Sequence, residues 1–280
     1  MMAASWRDRV FVMPVLMTDI APYSPHIETD CTAMRLVNRL GSWRAVSWPS
    51  VELPDARASL TACDATVLEV REDVSREPMA LVHWQPLDAL RVFDLLPDEC
   101  SPIPGIVTQT CDLIRSIDSQ PLRRLMAAVL RMPDVHASYW SAPASLSHHH
   151  ALPGGLAQHS LEVAVATASV RGLDVWQRDL VMTYALLHDI GKVWAYAGGR
   201  LTDEARRLGH EALGYRALLP ALASLEDMDP SSHEALDALL SGVWKRTCRH
   251  PAAALGEIVR AMDRFSAARG VGNASCGINQ

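Results

Sequence analysis

The sequence predicts an α+β chain of two domains, a small N-terminal β-barrel followed by an all-α domain. Three observations carry this. Residues 9–92 hold five short apolar runs of strand length. Residues 93–107 hold three prolines and a glycine with little periodicity. From residue 108 the apolar positions recur at three- and four-residue spacing. The expected limits are 1–92 for the β-rich domain, 93–107 for a linker, 108–270 for the all-α domain and 271–280 for a flexible tail. A chain of 280 residues is long for one core and comfortable for two.

The five runs are RVFVMPVLMT, CTAMRLVNRL, RAVSWPSV, ACDATVLEVRE and MALVHW, rich in Val, Leu, Thr and Trp and punctuated by Gly, Pro, Asp and Ser. Five strands in fewer than a hundred residues suit a barrel, which closes its own edges; an OB-like barrel is the natural candidate, and SH3-like barrels and small sandwiches share the pattern. Trp43, Trp48 and Trp84 are either base-stacking platforms or core and rim aromatics. The first residues, MMAASWRDRVFVMPVLMTDIAP, resemble a weak signal peptide, but Pro14 interrupts the apolar run and no small-residue cleavage site follows, so a β-strand is expected.

The helical part opens with TQTCDLIRSI and PLRRLMAAVL, where Pro121 sits at a helix start. GLAQHSLEVAVATASVRG is a helix ended by Gly172, and DVWQRDLVMTYALLHDIGKVW is another, interrupted near Gly191. TDEARRLGHEALGYRALLPAL places Asp203 and Glu204 at a helix N-terminus, where the dipole favours them. SSHEALDALLSGVW and PAAALGEIVRAMDRFSAAR complete about seven helices with no clear strand; Pro251 is expected at a first helical position.

Composition narrows the function. Lys and Arg number 26 against 32 Asp and Glu, a net charge of −6, which argues against a strongly basic nucleic-acid scaffold but leaves room for a local basic groove. No apolar run approaches the roughly 20 residues of a membrane span, so no membrane partner is expected. The six cysteines are scattered without a CxxC pair, and read as reduced thiols of a cytoplasmic protein. GxSxG and Walker loops are absent, and the Gly154–Gly155 pair precedes His159 too closely for a dinucleotide fingerprint.

Chemistry concentrates between His148 and Lys192. The stretch opens with HHHALPGGLAQHSLEVA and closes with YALLHDIGK, so His159 enters one helix while His188 and Asp189 end another. Asp263, in RAMDRFSA, lies on an otherwise apolar helix face and needs a partner, because an unpaired buried carboxylate is expensive. Two imidazoles and two carboxylates suit a divalent ion such as Mn²⁺, Fe²⁺ or Zn²⁺ and leave positions open for water and a phosphate oxygen.

The pattern H…HD…D centred on HDIGK resembles the HD superfamily of metal-dependent phosphohydrolases. The fuller string HHHALPGGLAQHSLEVA…ALLHDIGKV…LTDEARRLGHEALG is similar to two of its branches. One is the YhaM-type 3′-to-5′ exoribonucleases, which join an OB-type domain to an HD domain; the other is the TraI/MobH-type relaxases. The resemblance covers residues 100–268 by motif and 9–92 by architecture. It implies His159, His188, Asp189 and Asp263 as metal ligands. Asp189 and Lys192 become the catalytic pair, the lysine neutralising a bound phosphate. It implies His210, with His148, His149 and His150, as candidates for a second ion or a phosphate. One or two divalent ions, Mg²⁺ included, are therefore expected. The chain departs from two-metal members at ALLSGVWKR, where Ser241, Gly242 and Val243 stand in place of a His-His pair.

Arg206 and Arg207, with Arg200, are candidates for the remaining phosphate charge, or form a solvated helix face. The expected function is a metal-dependent phosphodiesterase on single-stranded RNA or DNA, similar to a 3′-to-5′ exoribonuclease. Two alternatives stand beside it. A relaxase-like protein would use Tyr139, Tyr184 or Tyr196 as nucleophile; a nucleic-acid-binding protein would carry a degenerate HD site.

Overall fold

The computed structural model describes residues 10–23, 30–55, 60–69, 78–146, 150–246 and 252–275, with side chains of the last helix up to residue 268. His148, His149, Pro251 and the final residues of the expected tail, 276–280, lie outside them. The chain divides into two compact units, 1–97 with 131–133, and 98–130 with 134–280.

In the first unit β1 (Val10–Tyr23), β2 (Cys31–Asn38), β3 (Gly41–Ser47), β4 (Thr61–Leu68) and β5 (Met79–Pro86) form a closed barrel in the order β1-β2-β3-β5-β4. All neighbours run antiparallel except β3 and β5, which meet in parallel at Ala45–Met79 and Val46–Ala80. Alternating residues point inward, as the two-residue strand period requires: Val15 and Met17, Met34 and Leu36, Cys63, Ala65 and Val67 share one core. β1 pairs with both β2 and β4, and its register against β2 shifts between Thr18 and Ala21. Asp19 takes a positive φ of 54° within that irregularity, a bulge that bends the long strand. Trp43 and Trp84 pack against the core, and the Trp84 indole donates to the Glu52 carbonyl at 2.7 Å. Trp48, 45% exposed, is the one of the three tryptophans that faces solvent.

The expected linker is itself folded. The division between units falls at Pro97–Asp98, and around it lie α1 (Val92–Leu95) and a short 3₁₀ turn, Asp98–Cys100. Phe93, Leu95 and Leu96 are buried. The prolines and glycine that suppress periodicity here punctuate short turns without leaving the segment unstructured.

The second unit contains α2 (Ile106–Arg115), α3 (Gln120–Leu130), α4 (Pro133–Ser138), α5 (Gly155–Ala168), α6 (Val175–Leu187), α7 (Lys192–Ala195), α8 (Asp203–Met228), α9 (Pro230–Ser241) and α10 (Ala253–Ser275). It also holds a hairpin the sequence pattern did not reveal, β6 (Tyr196–Ala197) with β7 (Arg200–Leu201). Gly198 and Gly199, at φ 54° and 73°, make its two-residue turn.

α6 is the central helix. Every residue from Asp179 to Leu187 is buried, so it lacks the polar face of a surface helix. α5, α9 and α10 all pack on it. Its start is held by a capping box between Asp174 and Gln177. Its buried Asp179 accepts the Ser119 amide at 2.8 Å, fixing the approach to α3. Among the described residues no helix is long and apolar enough to cross a membrane.

Two glycines let α7 and α8 meet backbone to backbone. A Cβ on Gly191 would lie 1.8 Å from the His210 carbonyl oxygen, and one on Gly214 would lie 3.0 Å from the Gly191 Cα. α8 is broken at Gly209 (φ 79°, ψ 157°), so His210 opens a new helical run directly over Gly191. The glycine of HDIGK thus serves close approach, a use of a missing side chain that a helical pattern does not show. Gly191→Ala is expected to destabilise the fold by about 3 kcal/mol. It should also displace His210. Denaturant unfolding at unchanged m-value would measure the first effect.

Candidate metal centre

α5 delivers His159, and the loop before it explains how. Gly154 caps the helix at φ 83°. Gly155 lies so close to His150 that a Cβ would sit 2.1 Å from the His150 carbonyl oxygen. The Gly-Gly pair therefore lets the end of the histidine run settle onto the first turn of α5. α6 delivers the other half. His188 caps its C-terminus, and Asp189 falls in the turn that leads to α7. Asp263 arrives from α10.

These groups converge. His159, His188 and Asp189 offer ligand atoms all within 4.8 Å of one another. His159 Nε2 lies 3.5 Å from Asp189 Oδ2 and 3.1 Å from Asp263 Oδ1. His188 Nε2 lies 3.5 Å from the same Asp189 oxygen and 3.9 Å from Asp263 Oδ1. Neither separation is a good hydrogen bond, and this buried nitrogen has no hydrogen-bond partner. His188 Nδ1 is 2.7 Å from the Ala185 carbonyl. That contact requires the proton on Nδ1 and leaves the Nε2 lone pair aimed at the carboxylates. An orphaned imidazole nitrogen facing two carboxylate oxygens fits a divalent cation.

The other Asp189 oxygen is also occupied. Oδ1 meets His210 Nε2 at 3.0 Å, while Oδ2 meets Lys192 Nζ at 2.5 Å. Burial opposes ionisation of Asp189, but His188, His210 and Lys192 outweigh it and hold its carboxyl well below the usual carboxylate range. Asp263 behaves alike: burial raises it, and its contacts with His159 and His188 bring it below the ordinary value. For His188, burial disfavours the proton, while Asp189, Asp263 and the Ala185 carbonyl favour it; the net shift is upward.

Behind His159 runs a polar chain that the sequence reading missed. His159 Nδ1 is 3.3 Å from Ser266 Oγ, and Ser266 donates to Glu162 Oε2 at 2.9 Å. His150 Nε2 completes the chain at 3.2 Å from the same carboxylate oxygen, and its hydrogen bond holds Glu162 below the usual range. His150, read as a contact for a second ion or a phosphate, is therefore engaged with Glu162, its ring centroid 5.4 Å from that of His159. The signal was present in the spacing: Glu162 is three residues after His159, and Ser266 three after Asp263, so each shares a helix face with a ligand.

Arg206 and Arg207 are not brought to the centre. Arg206 pairs with Asp203 at 2.5 Å on the solvent face of α8, and Arg207 is exposed. Because both lie before the break at Gly209, they belong to a different helical run from His210. Instead a cavity of about 430 Å³ beside His188 and Asp263 is lined by Lys245, Arg260 and Arg264, together with Glu211, Tyr184 and Trp244. Ser241 ends α9 and Gly242 caps it at φ 73°, so the residues at the missing His-His pair terminate a helix. Of the candidate tyrosines, Tyr139 is buried in the core and Tyr196 belongs to the β6 strand. Only Tyr184 reaches the cavity, and burial pushes its phenol above the ordinary range.

Two outcomes follow from this geometry. Ser266→Ala or Glu162→Gln should leave the fold intact and weaken manganese binding on the order of 10- to 100-fold, read by calorimetry. Binding should also tighten as the pH rises through and above the ordinary imidazole range, with proton release, because an ion must displace the proton that His188 holds more tightly than a free imidazole. In the ion-free protein the sign is reversed. The same shift stabilises the fold below the ordinary imidazole pKa, and that contribution is lost as pH rises through the folded value.

Residues 156–268 match the HD domain family. The 3′-5′ exoribonuclease YhaM of Geobacillus sp. (strain WCH70) is 28% identical over 127 residues, 44% of this chain and 39% of the relative. The protein of the same name from Oceanobacillus iheyensis is 26% identical over 130 residues, 45% of this chain and 40% of the relative. The dihydroneopterin 2′,3′-cyclic phosphate phosphodiesterase of Methanocaldococcus jannaschii is 33% identical over 99 residues, 30% of this chain and 39% of the relative. The chain thus spans about two fifths of the length of these curated relatives. No solved structure gives a significant match. With its histidines and aspartates gathered from α5, α6 and α10 inside the segment that matches the HD domain family, the chain resembles the HD-superfamily phosphohydrolases.

Proposed function

We propose that this protein is a metal-dependent phosphodiesterase that degrades single-stranded nucleic acid, RNA before DNA, in the manner of a 3′-to-5′ exoribonuclease. The observation that carries the reading is the buried cluster of His159, His188 and Asp189, with Asp263 within 3.1 Å of His159. We take the barrel to be OB-like: five closed strands with a parallel β3–β5 contact support this, and such a barrel can guide a single strand. We likewise take the two compact units to be the two domains. A cytoplasmic setting is proposed from Cys31, Cys63 and Cys100, which form no disulfide among the described residues.

Two imidazoles and two carboxylates suit Mn²⁺, Fe²⁺ or Zn²⁺ better than the all-oxygen preference of Mg²⁺. The ion supplies a Lewis acid for the phosphoryl oxygen and a water of lowered pKa. The chain's own residues do the rest. His188 presents Nε2 because Ala185 holds its Nδ1 proton. Asp189, kept ionised by its cationic neighbours, contributes fixed negative charge through Oδ2. Lys192, ion-paired with that oxygen, stands where a phosphate approaching the cluster would meet a positive charge. His210 holds the second carboxylate oxygen and so fixes the plane of the group.

The relaxase-like alternative has less support, since the only candidate tyrosine at the cavity is one whose phenol burial makes harder to ionise. A degenerate binding protein has less support, because His159, His188 and Asp189 stand close enough to share an ion and Asp263 adjoins His159.

The test uses the full chain with Mn²⁺ and end-labelled single-stranded RNA and DNA. Stepwise shortening of RNA from its 3′ end is expected. His188→Ala or Asp189→Ala should cut the rate by about two to three orders of magnitude, the equivalent of the several kcal/mol an ion supplies. Failure to cleave either polymer, alongside turnover of small cyclic phosphates, would sink the nuclease reading.

A further inference from the structure

The cavity beside the cluster has a composition that the ligand set does not explain. Its lining carries three cations, Lys245 from the turn after α9 and Arg260 and Arg264 from α10, against two carboxylates, Glu211 and Asp263. Lys245 is tied to Glu211 at 2.7 Å and Arg260 to Glu257 at 3.3 Å. Arg264 has no ion-pair partner among the described residues, although it adjoins Asp263 in sequence and lines the same space as His188. A solvent-facing guanidinium is ordinary by itself. Three cations around one space of about 430 Å³, opening beside two ligands, are not.

The cavity is also built, and its shape depends on one glycine. Trp244 is buried and its indole donates to the Leu239 carbonyl at 3.1 Å. It presses on α10 where a Cβ on Gly256 would lie 2.6 Å from the ring. That packing brings the turn holding Lys245 against α10, with Arg260 one helical turn and Arg264 two turns beyond Gly256. Trp244 is buried as wall, and Lys245 Nζ lies over its ring at 5.8 Å, so a cation already stands where a base would stack. The space therefore suits a small hydrated anion more than a nucleobase.

We propose that this cavity binds a second phosphate of the substrate, adjacent to the phosphodiester held at the metal centre, with Arg264 as its principal contact. This rests on the phosphodiesterase reading and adds a substrate requirement to it. Arg264 supplies a planar donor fork free to take two phosphate oxygens. Lys245 and Arg260, each paired with a glutamate, add further donors beside it. The selected substrate class is a nucleotide or oligonucleotide end carrying phosphate on both sides of its terminal sugar.

The test measures binding, without turnover, to the manganese-loaded full chain. Adenosine 3′,5′-bisphosphate should bind on the order of tenfold more tightly than adenosine 5′-monophosphate. Arg264→Ala should remove most of that preference, Arg264→Lys should restore part of it, and the manganese content should stay at one equivalent with the wild type. Equal affinities in the wild type overturn the proposal. So does a preference that survives the combined Lys245→Ala, Arg260→Ala and Arg264→Ala variant, or a loss of manganese in Arg264→Lys. The two readings separate cleanly. RNA hydrolysis without a bisphosphate preference removes this inference alone. A bisphosphate preference without RNA hydrolysis supports it and removes only the polymer substrate.

Discussion

The buried charge of Asp189 is the constraint on which the helical unit depends. An isolated carboxylate in that position would be strongly disfavoured. The fold answers with cationic or proton-sharing groups from several directions: His159 from α5, His188 beside it, Lys192 from α7 and His210 from α8. Each of those elements must be held in place for the carboxylate to stay ionised. The capping box of α6, the glycine contact between α7 and α8, and the break at Gly209 all serve that end. Stability and chemistry are coupled here, because the groups that offset the burial of Asp189 are the groups a phosphate and an ion would use.

A second layer explains why His159 is well placed. Its rear nitrogen meets Ser266, whose hydroxyl is committed to Glu162, and Glu162 is held in turn by His150. The first turns of α5, the loop just before it and the distant α10 thus converge behind His159. A ligand oriented by such a chain has less freedom to lose when an ion binds. The histidine run before α5 acquires a structural use through His150.

Much of the centre was legible in the residues. Adjacent His188 and Asp189 at the end of an apolar helix, His159 at the head of another, and an acidic Asp263 on an apolar face each carry a local signal, and the structure brings all four together. Arg206 and Arg207 lie on a solvated helix face, the second of their two readings, because charge density along a sequence says nothing about which side of a helix break it occupies. The cations that line the cavity, Lys245, Arg260 and Arg264, sit among ordinary surface charges in the sequence. They become distinctive only when Trp244 packs on Gly256.

The sequence by itself determined the order of elements. Period-two and period-3.6 apolar spacing dictate five strands and then helices, because each element must turn one face away from water. It also determined the types of the candidate ligands, imidazole and carboxylate, from the HD pair at the end of one helix, His159 near the start of another and Asp263 within a third. Only the tertiary structure decided the barrel's closure, the folded state of 93–107, the β6–β7 hairpin and the cavity beside the metal centre. Those features depend on strand partners, on chain reversals of two residues and on glycine backbones in contact across long sequence separations. Spacing along the chain encodes faces; it does not encode which faces meet.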